Sequence, residues 1–523
     1  MLAVLALHSQ ESKGGPVWAF SDATNSAAAE VDHRRIEVPG TLTQRAAGGV
    51  AAGDYDRDGN VDLYVVAGDG ASNALLRNRG QGSFEEVSAL AGVALEHVNG
   101  SGPLFFDFDG DGWLDLFVGA TDGSSPSLFQ NRQDGTFSDV TASVGLASLA
   151  GVISASAGDY DGDGWLDLFL SHWGSAEDAC HLWKNEGGRH FACVDEKAGI
   201  APFTIDGVLD RSFSANFVDI DRDGDQDLLV ASDFATSRVL RNQGGGHFEP
   251  WLSLVISDEN GMGSAIGDYD GDGAFDWFVS SVWDADSVAE GDWGMSGNRL
   301  YRNLGDGTFE DVTDVAGVRE GDWGWATCFA DLNQDGMLDL VQVNGWPQGS
   351  PQFRDTPARL FVAQSVGRFS EQAESLGFVE RGGGRGLSCF DYDGDGDLDL
   401  FVMNNDAPSK LWRNDAPPFS NTLRVKLEGP SPNSEGIGAV IRITAGGREQ
   451  LRAVRAGSNY ASQDPAEVHF GLGAATLVDR VDVEWPGGAH TSLRNVSANQ
   501  RLIVQEPPRV ELQPSGGMGC SGR

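Results

Sequence analysis

Seven short stretches of this 523-residue chain set carboxylates at alternate positions around one glycine. The first uses Asp54, Asp56, Asp58, Asn60 and Asp62; the second Asp107, Asp109, Asp111, Trp113 and Asp115. The third uses Asp159, Asp161, Asp163, Trp165 and Asp167; the fourth Asp219, Asp221, Asp223, Asp225 and Asp227. The fifth uses Asp268, Asp270, Asp272, Ala274 and Asp276; the sixth Asp331, Asn333, Asp335, Met337 and Asp339; the seventh Asp391, Asp393, Asp395, Asp397 and Asp399. Positions 1, 3 and 5 turn toward one centre, and glycine at position 6 permits the sharp bend. Position 7 would add its backbone carbonyl and position 9 a further carboxylate. Oxygen donors alone on a tight turn suit a hard cation, Ca2+ above all, with up to seven ions per chain. Asn333 replaces an aspartate in the sixth loop and should weaken that site without abolishing it.

Elements of regular spacing must position these loops. Their first aspartates are separated by 53, 52, 60, 49, 63 and 60 residues, the mark of a repeat architecture rather than a string of unrelated domains. Each loop is followed by an apolar run such as Leu63–Val66 or Leu116–Val118, which suits a strand covered on both faces. A second cassette follows, as in Leu300–Asn303, a Gly-Asp-Gly turn and Thr308–Thr313, which reads as a hairpin. The unit is therefore four strands with the acidic loop joining the first two, and seven such units predict a β-propeller. Phe20–Thr24 matches the outer strand of the hairpin yet precedes the first loop, while the last unit stops at Leu411–Asn414. The phase predicts that the N-terminal strand completes the seventh unit and closes the ring, which removes exposed sheet edges.

With loop and hairpin cassettes recurring together, residues 17–414 resemble the FG-GAP/VCBS repeat family, best known from integrin α-subunit propellers. The resemblance implies Ca2+ held between the first two strands of each blade. Residues 415–421 then read as a linker. From 422 to 506 the chain alternates with period two, as in Leu423–Leu427 and Val481–Trp485, and reads as a small β-sandwich-like domain. This stretch resembles the ASPIC/UnbV domain found behind FG-GAP repeats in cartilage-acidic-protein relatives. The residues that carry the likeness include Gly436–Ala439, Arg455–Ser458, Ser462-Gln463, His469–Gly473, Trp485–Gly488 and Ala498–Gln500. Residues 1–16 read as a leader remnant or a disordered start, and 507–523 as a disordered tail. The fold class expected is all-β: a seven-bladed β-propeller followed by a small β domain.

The net charge of −42 is extreme until the loops are counted, since they hold 29 aspartates. Seven Ca2+ ions would leave about −28, which still argues against nucleic acid and anionic lipid as partners. Only five lysines are present, so no polybasic patch offsets the excess. Cys180 and Cys193 flank a hairpin turn, where a bridge and two half-buried thiols are both open readings. Cys328 and Cys389, just ahead of loops six and seven, read as core-packing residues. Oxygen-ligand sites of this kind fill where free calcium is near millimolar, which points to a secreted or extracytoplasmic setting. Leu2–Leu7 is too short for a signal core and lacks a basic start. No stretch reaches membrane-spanning length, so no membrane insertion is expected.

None of the common nucleophile, zinc-protease or phosphate-loop motifs is present. His172, His181 and His190 fall in one unit and have the chemistry of zinc ligands, although ordinary strand and loop histidines are the preferred reading. Arg381–Gly386 reads either as an anion cradle or as a turn between blades. In a four-stranded blade the connections from second to third strand lie on the face opposite the acidic loops. The long ones carry Trp173, Trp283, Trp293 and Trp346, and the approach to loop six adds Trp323 and Trp325. Aromatics on loops over a rigid scaffold read as a recognition surface. The resulting function is a secreted calcium-binding adhesion or recognition module for an extracellular protein or glycan, with no catalytic residue assigned. The alternative is an enzyme acting on polysaccharide or lipid at that same face.

Overall fold

The computed structural model describes residues 18–508 except 37–41, 122, 148, 150, 176–178, 205–206, 252, 285–293, 295, 347–350, 418–419 and 458. The leader reading at 1–16, most of the tail reading and Trp293 therefore lie outside the described residues. Among the described residues, seven antiparallel sheets of four strands each are arranged as blades. The first comprises Val50–Gly53, Asp62–Val65, Ala74–Asn78 and Phe84–Glu86, in spatial order. Five more repeat this order, and the last runs Gly384–Phe390, Asp399–Asn404 and Lys410–Asp415 before Ala19–Asp22 is added at its outer edge. There Phe20 lies opposite Asn414 and Asp22 opposite Trp412, across nearly the whole chain, as the phase of the repeat predicts. The inner strands neighbour one another in cyclic order, and Val50–Gly53 meets Gly384–Phe390 to close the ring.

Burial explains the apolar runs. All six residues of Asp115–Ala120 and of Asp227–Ser232 are buried, because a second strand is covered by blades on both sides. The aromatic at loop position 2 packs on the outer-strand phenylalanine of the next blade. Tyr55 meets Phe137, Tyr160 meets Phe248, and Tyr392 meets Phe84 across the closure, with centroids 5.6, 6.2 and 6.3 Å apart.

The C-terminal unit is two sheets. Asn421–Glu428 is paired by Val468–Gly473 and, in parallel, by Gln500–Gln505; the second sheet is ordered Arg448–Ala453, Val440–Ala445, Leu477–Glu484, His490–Ser497. It sits on the loop-bearing face. One apolar cluster runs without interruption from Leu104, Phe106 and Leu166 in the blades to Ala439, Ile441 and Val504 in the C-terminal unit. A segment around Tyr460 enters the axis of the ring. Gln463 donates its N–H to Val50 O, its carbonyl accepts from Ala52, and its side-chain amide pairs with both N–H and C=O of Phe105. Tyr460 is fully buried, donates to Ala46 O at 2.8 Å and packs edge-on to Trp325.

Candidate metal centres and the opposite face

Each acidic loop joins the inner strand of its blade to the second. The glycine at position 6 has positive φ in all seven, from 85° at Gly273 to 102° at Gly396. Position 4 is also left-handed throughout, and three loops place a side chain there against that preference. Each of the three is used: Arg57 stacks over Trp113 at 5.5 Å, Arg222 donates to Gly273 O, and Gln334 donates to Gly396 O at 3.3 Å. A non-glycine residue at position 4 thus ties its loop to that of the next blade.

The aspartate at position 9 is fully buried in every blade. In blade two one oxygen of Asp115 accepts from Asn131 N–H at 2.8 Å and the other from Phe108 N–H at 3.1 Å. Asp62, Asp167, Asp227, Asp276 and Asp399 repeat this pair of bonds, and Asp339 makes it with Ala363 and Leu332. Burial pushes these carboxyls well above the usual carboxylate range, Asp227 to about 8. Burial also lifts the carboxyls at position 1, to about 6 at Asp107, Asp159, Asp219, Asp268 and Asp391 and to about 7 at Asp331. Neighbouring loop carboxylates add to the rise.

The donor sets fit a hard cation. Carboxyl oxygens of Asp107, Asp109 and Asp115 lie within 4.8 Å of one another, as do those of Asp54, Asp56 and Asp58, of Asp159, Asp161 and Asp167, and of Asp219, Asp221 and Asp227. Buried oxygens of Asp107, Asp161, Asp221 and Asp268 have no hydrogen-bond partner. Desolvated oxygens left without a donor are what a bound divalent ion would satisfy.

Sequence reasoning missed the residue that links these centres. The third-strand asparagine whose N–H bonds position 9 also turns its side-chain amide to the preceding blade. Asn131 donates to Tyr55 O at 2.9 Å, Asn242 to Tyr160 O at 2.8 Å and Asn303 to Ile220 O at 2.8 Å. Asn78, Asn185 and Asn414 do the same, and only blade six, with Ala363, lacks the asparagine. The signal lay in the repeated Arg-Asn ending of the third strand, read only as part of a hairpin.

The aromatic surface expected on the opposite face is corrected in part. Trp323, Trp325 and Trp346 are buried in a stack, with Trp323 and Trp346 parallel at 5.0 Å and Arg385 lying 4.0 Å over Trp325. They are core because the inner strands converge there and Tyr460 closes the other side. Trp173 is half-buried, stacks on Phe213 at 5.0 Å and donates to Asp233; Trp283 is also half-buried. Arg381–Gly383 lead as a connection between blades into the inner strand Gly384–Phe390 of blade seven, and Arg385 donates to the carbonyls of Arg45, Gly345, Gly383 and Gly384.

Two of the three histidines of blade three come together, His172 and His181 lying edge-on with ring centroids 5.4 Å apart. His190 is exposed, whereas His181 is buried between Asp195 at 3.1 Å and Asp210 at 2.9 Å. Burial alone would lower the His181 pKa, but the two carboxylates outweigh it and lift it to about 9. Cys180 and Cys193 form a disulfide beside this cluster. Cys328 and Cys389 are also joined, which replaces the reading of separate core thiols and links the inner strands of blades six and seven.

Comparison with known proteins places this geometry. The family model described as FG-GAP-like repeat matches residues 54–118, 107–170, 178–279 and 284–341, and that described as ASPIC and UnbV matches 429–511. Cartilage acidic protein 1 of Mus musculus is 24% identical over 503 residues, covering 88% of this chain and 73% of the relative. The Homo sapiens protein of the same name is 24% identical over 524 residues, covering 90% and 74%. Among solved structures, BBS1N in complex with ARL6DN aligns at a TM-score of 0.42 and 10% identity, covering 70% of this chain and 94% of that one. A Niastella koreensis GH74 enzyme aligns at 0.39 and 13%, covering 88% and 68%.

Proposed function

The chain belongs to the FG-GAP-like repeat family and carries an ASPIC and UnbV domain, and from that premise we propose that it is a calcium-stabilised recognition module working outside the cytoplasm. In this reading residues 17–414 form the propeller, 415–421 the connection, and 422–506 the C-terminal domain. The acidic loops hold Ca2+ through positions 1, 3 and 5, the position 7 carbonyl and the position 9 carboxylate. The ion supplies the positive charge that buried, mutually repelling carboxylates need. The observation that carries the reading is the set of buried, unpartnered oxygens on Asp107, Asp161, Asp221 and Asp268.

The partner is a protein or a glycan, met on the face away from the acidic loops. Support comes from the C-terminal domain, which packs on the loop-bearing face and brings Tyr460 into the axis, so that the opposite face is the one it leaves uncovered. Trp173 and Trp283 are the half-exposed aromatics on the long connections of that face. No helix among the described residues is long and apolar enough to cross a membrane.

The test is a protein and glycan binding array run with the full chain in calcium and in chelator, followed by Trp173→Ala and Trp283→Ala. Binding that requires calcium and is lost in either variant, with melting unchanged, supports the reading. Binding indifferent to both would overturn it.

A further inference from the structure

The seven loops look alike in sequence, but the basic side chains around them differ. In blade one, Arg77 lies 2.6 Å from Asp56 and 3.6 Å from Asp58, and Lys426 of the C-terminal domain reaches Asp54 at 3.4 Å. In blade seven, Arg413 lies 3.3 Å from Asp393 and 3.0 Å from Asp395, and Arg424 reaches Asp391 at 2.8 Å. Two cations thus stand over each of these loops, one from the third strand and one from the C-terminal domain.

Blade two has neither. Where blade one has Arg77, Gln130 donates to Asp109 at 2.5 Å, and Gln133 donates to Asp111 at 2.9 Å. Where Lys426 or Arg424 would fall, Ser434 donates to Asp107 at 2.8 Å. Among the described residues no basic side chain pairs with Asp107, Asp109, Asp111 or Asp115, since Arg57 stacks on Trp113 and bonds none of them. Asp107 is 2% exposed, its Oδ1 has no partner, and its carboxylate lies in a trio within 4.8 Å. A buried cluster of like charge met only by neutral donors is unstable without a counter-ion.

Resting on the calcium reading above, we propose that the loops are graded by the chain's own cations. The loop of blade two holds a divalent cation more tightly than the loops of blades one and seven, and Ser434 ties the C-terminal domain to it. At blades one and seven, Lys426 and Arg424 stand in for part of the metal's charge. Half-saturation should therefore come at a free calcium at least about tenfold lower in blade two than in blades one and seven.

The experiment uses the full chain stripped with chelator and dialysed against a series of free calcium concentrations, with ions per chain measured by elemental analysis. At a free calcium below half-saturation of the loops of blades one and seven, Asp107→Asn should lose up to one ion, while Asp54→Asn and Asp391→Asn should lose almost none. Lys426→Met and Arg424→Met should each add up to one ion there. Tryptophan-sensitised terbium luminescence reads the same order without disturbing a ligand. Only loops two and three carry tryptophan at position 7, so Trp113→Phe should remove the component that saturates first and Trp165→Phe a later one. The grading is overturned if Asp54→Asn or Asp391→Asn costs the same ion as Asp107→Asn, or if Trp165→Phe removes the first component. A parent chain that binds no ion at millimolar calcium would overturn the calcium reading itself, and the grading with it.

Discussion

Asp107, Asp159, Asp219, Asp268, Asp331 and Asp391 are carboxyls held in a place that favours the proton when no metal is present. Their folded pKa values of about 6 to 7 lie above the unfolded value near 3.8, so the folded chain binds more protons than the unfolded one over that window. In chelator, stability should therefore rise as pH falls from about 7 toward 4.5. With saturating calcium the sign reverses, because the ion requires the ionised form and protons compete with it. Melting curves at pH 7.5 and 5.5 check this. We expect calcium to raise the melting temperature by at least about 5 °C at pH 7.5, since one site filled 100-fold above its Kd contributes about 2.7 kcal/mol. The gap should narrow at pH 5.5; a gap equal at both pH values would contradict the account.

At the scale of the element, blades are joined by a repeated asparagine rather than by packing alone. Asn242→Ala removes donor bonds to Tyr160 O at 2.8 Å and Gln226 O at 3.1 Å and leaves both carbonyls buried without them. The expected cost is about 2–4 kcal/mol, read as a lower denaturation midpoint with calcium content unchanged. Blade six does without the asparagine, so its seam with blade five lacks this bond and relies on others such as Ser280 to Trp325 O. The N-terminal strand is the other joint. Deleting residues 1–25 strips Ala19–Asp22 from Lys410–Asp415 and leaves that strand as an open edge. The truncated chain should melt several degrees lower and aggregate sooner, measured by scattering on heating. A truncation that melts like the parent would show that the closure carries no stability.

For the whole molecule, the C-terminal domain belongs to the same folded body as the ring. Its apolar residues share one cluster with Leu104 and Phe106, and Tyr460 and Gln463 occupy the axis. A chain cut at residue 420 should therefore expose that cluster and elute as aggregate on size-exclusion chromatography. The full chain should unfold in one transition followed equally by fluorescence and circular dichroism. A monodisperse truncated ring that keeps the parent's melting temperature would separate the two units.

The repeat, the four-strand unit, the acidic loops and the seam at Phe20 were legible in the sequence alone. All are local patterns, and a pattern recurring at a steady interval needs no knowledge of distant contacts. The sequence also held the asparagine of the third strand, but not its role, because the carbonyl it meets belongs to the preceding blade. Tertiary structure alone decided which tryptophans were core. Trp323, Trp325 and Trp346 sit in segments that look like surface loops until seven inner strands converge on one axis. It alone decided, too, that loops of near-identical sequence face different charges. Lys426 and Ser434 lie more than 300 residues along the chain from Asp54 and Asp107, and only the docking of the C-terminal domain on the ring brings them there. Alternation and spacing report what a segment can form; which charge stands beside it is set by packing.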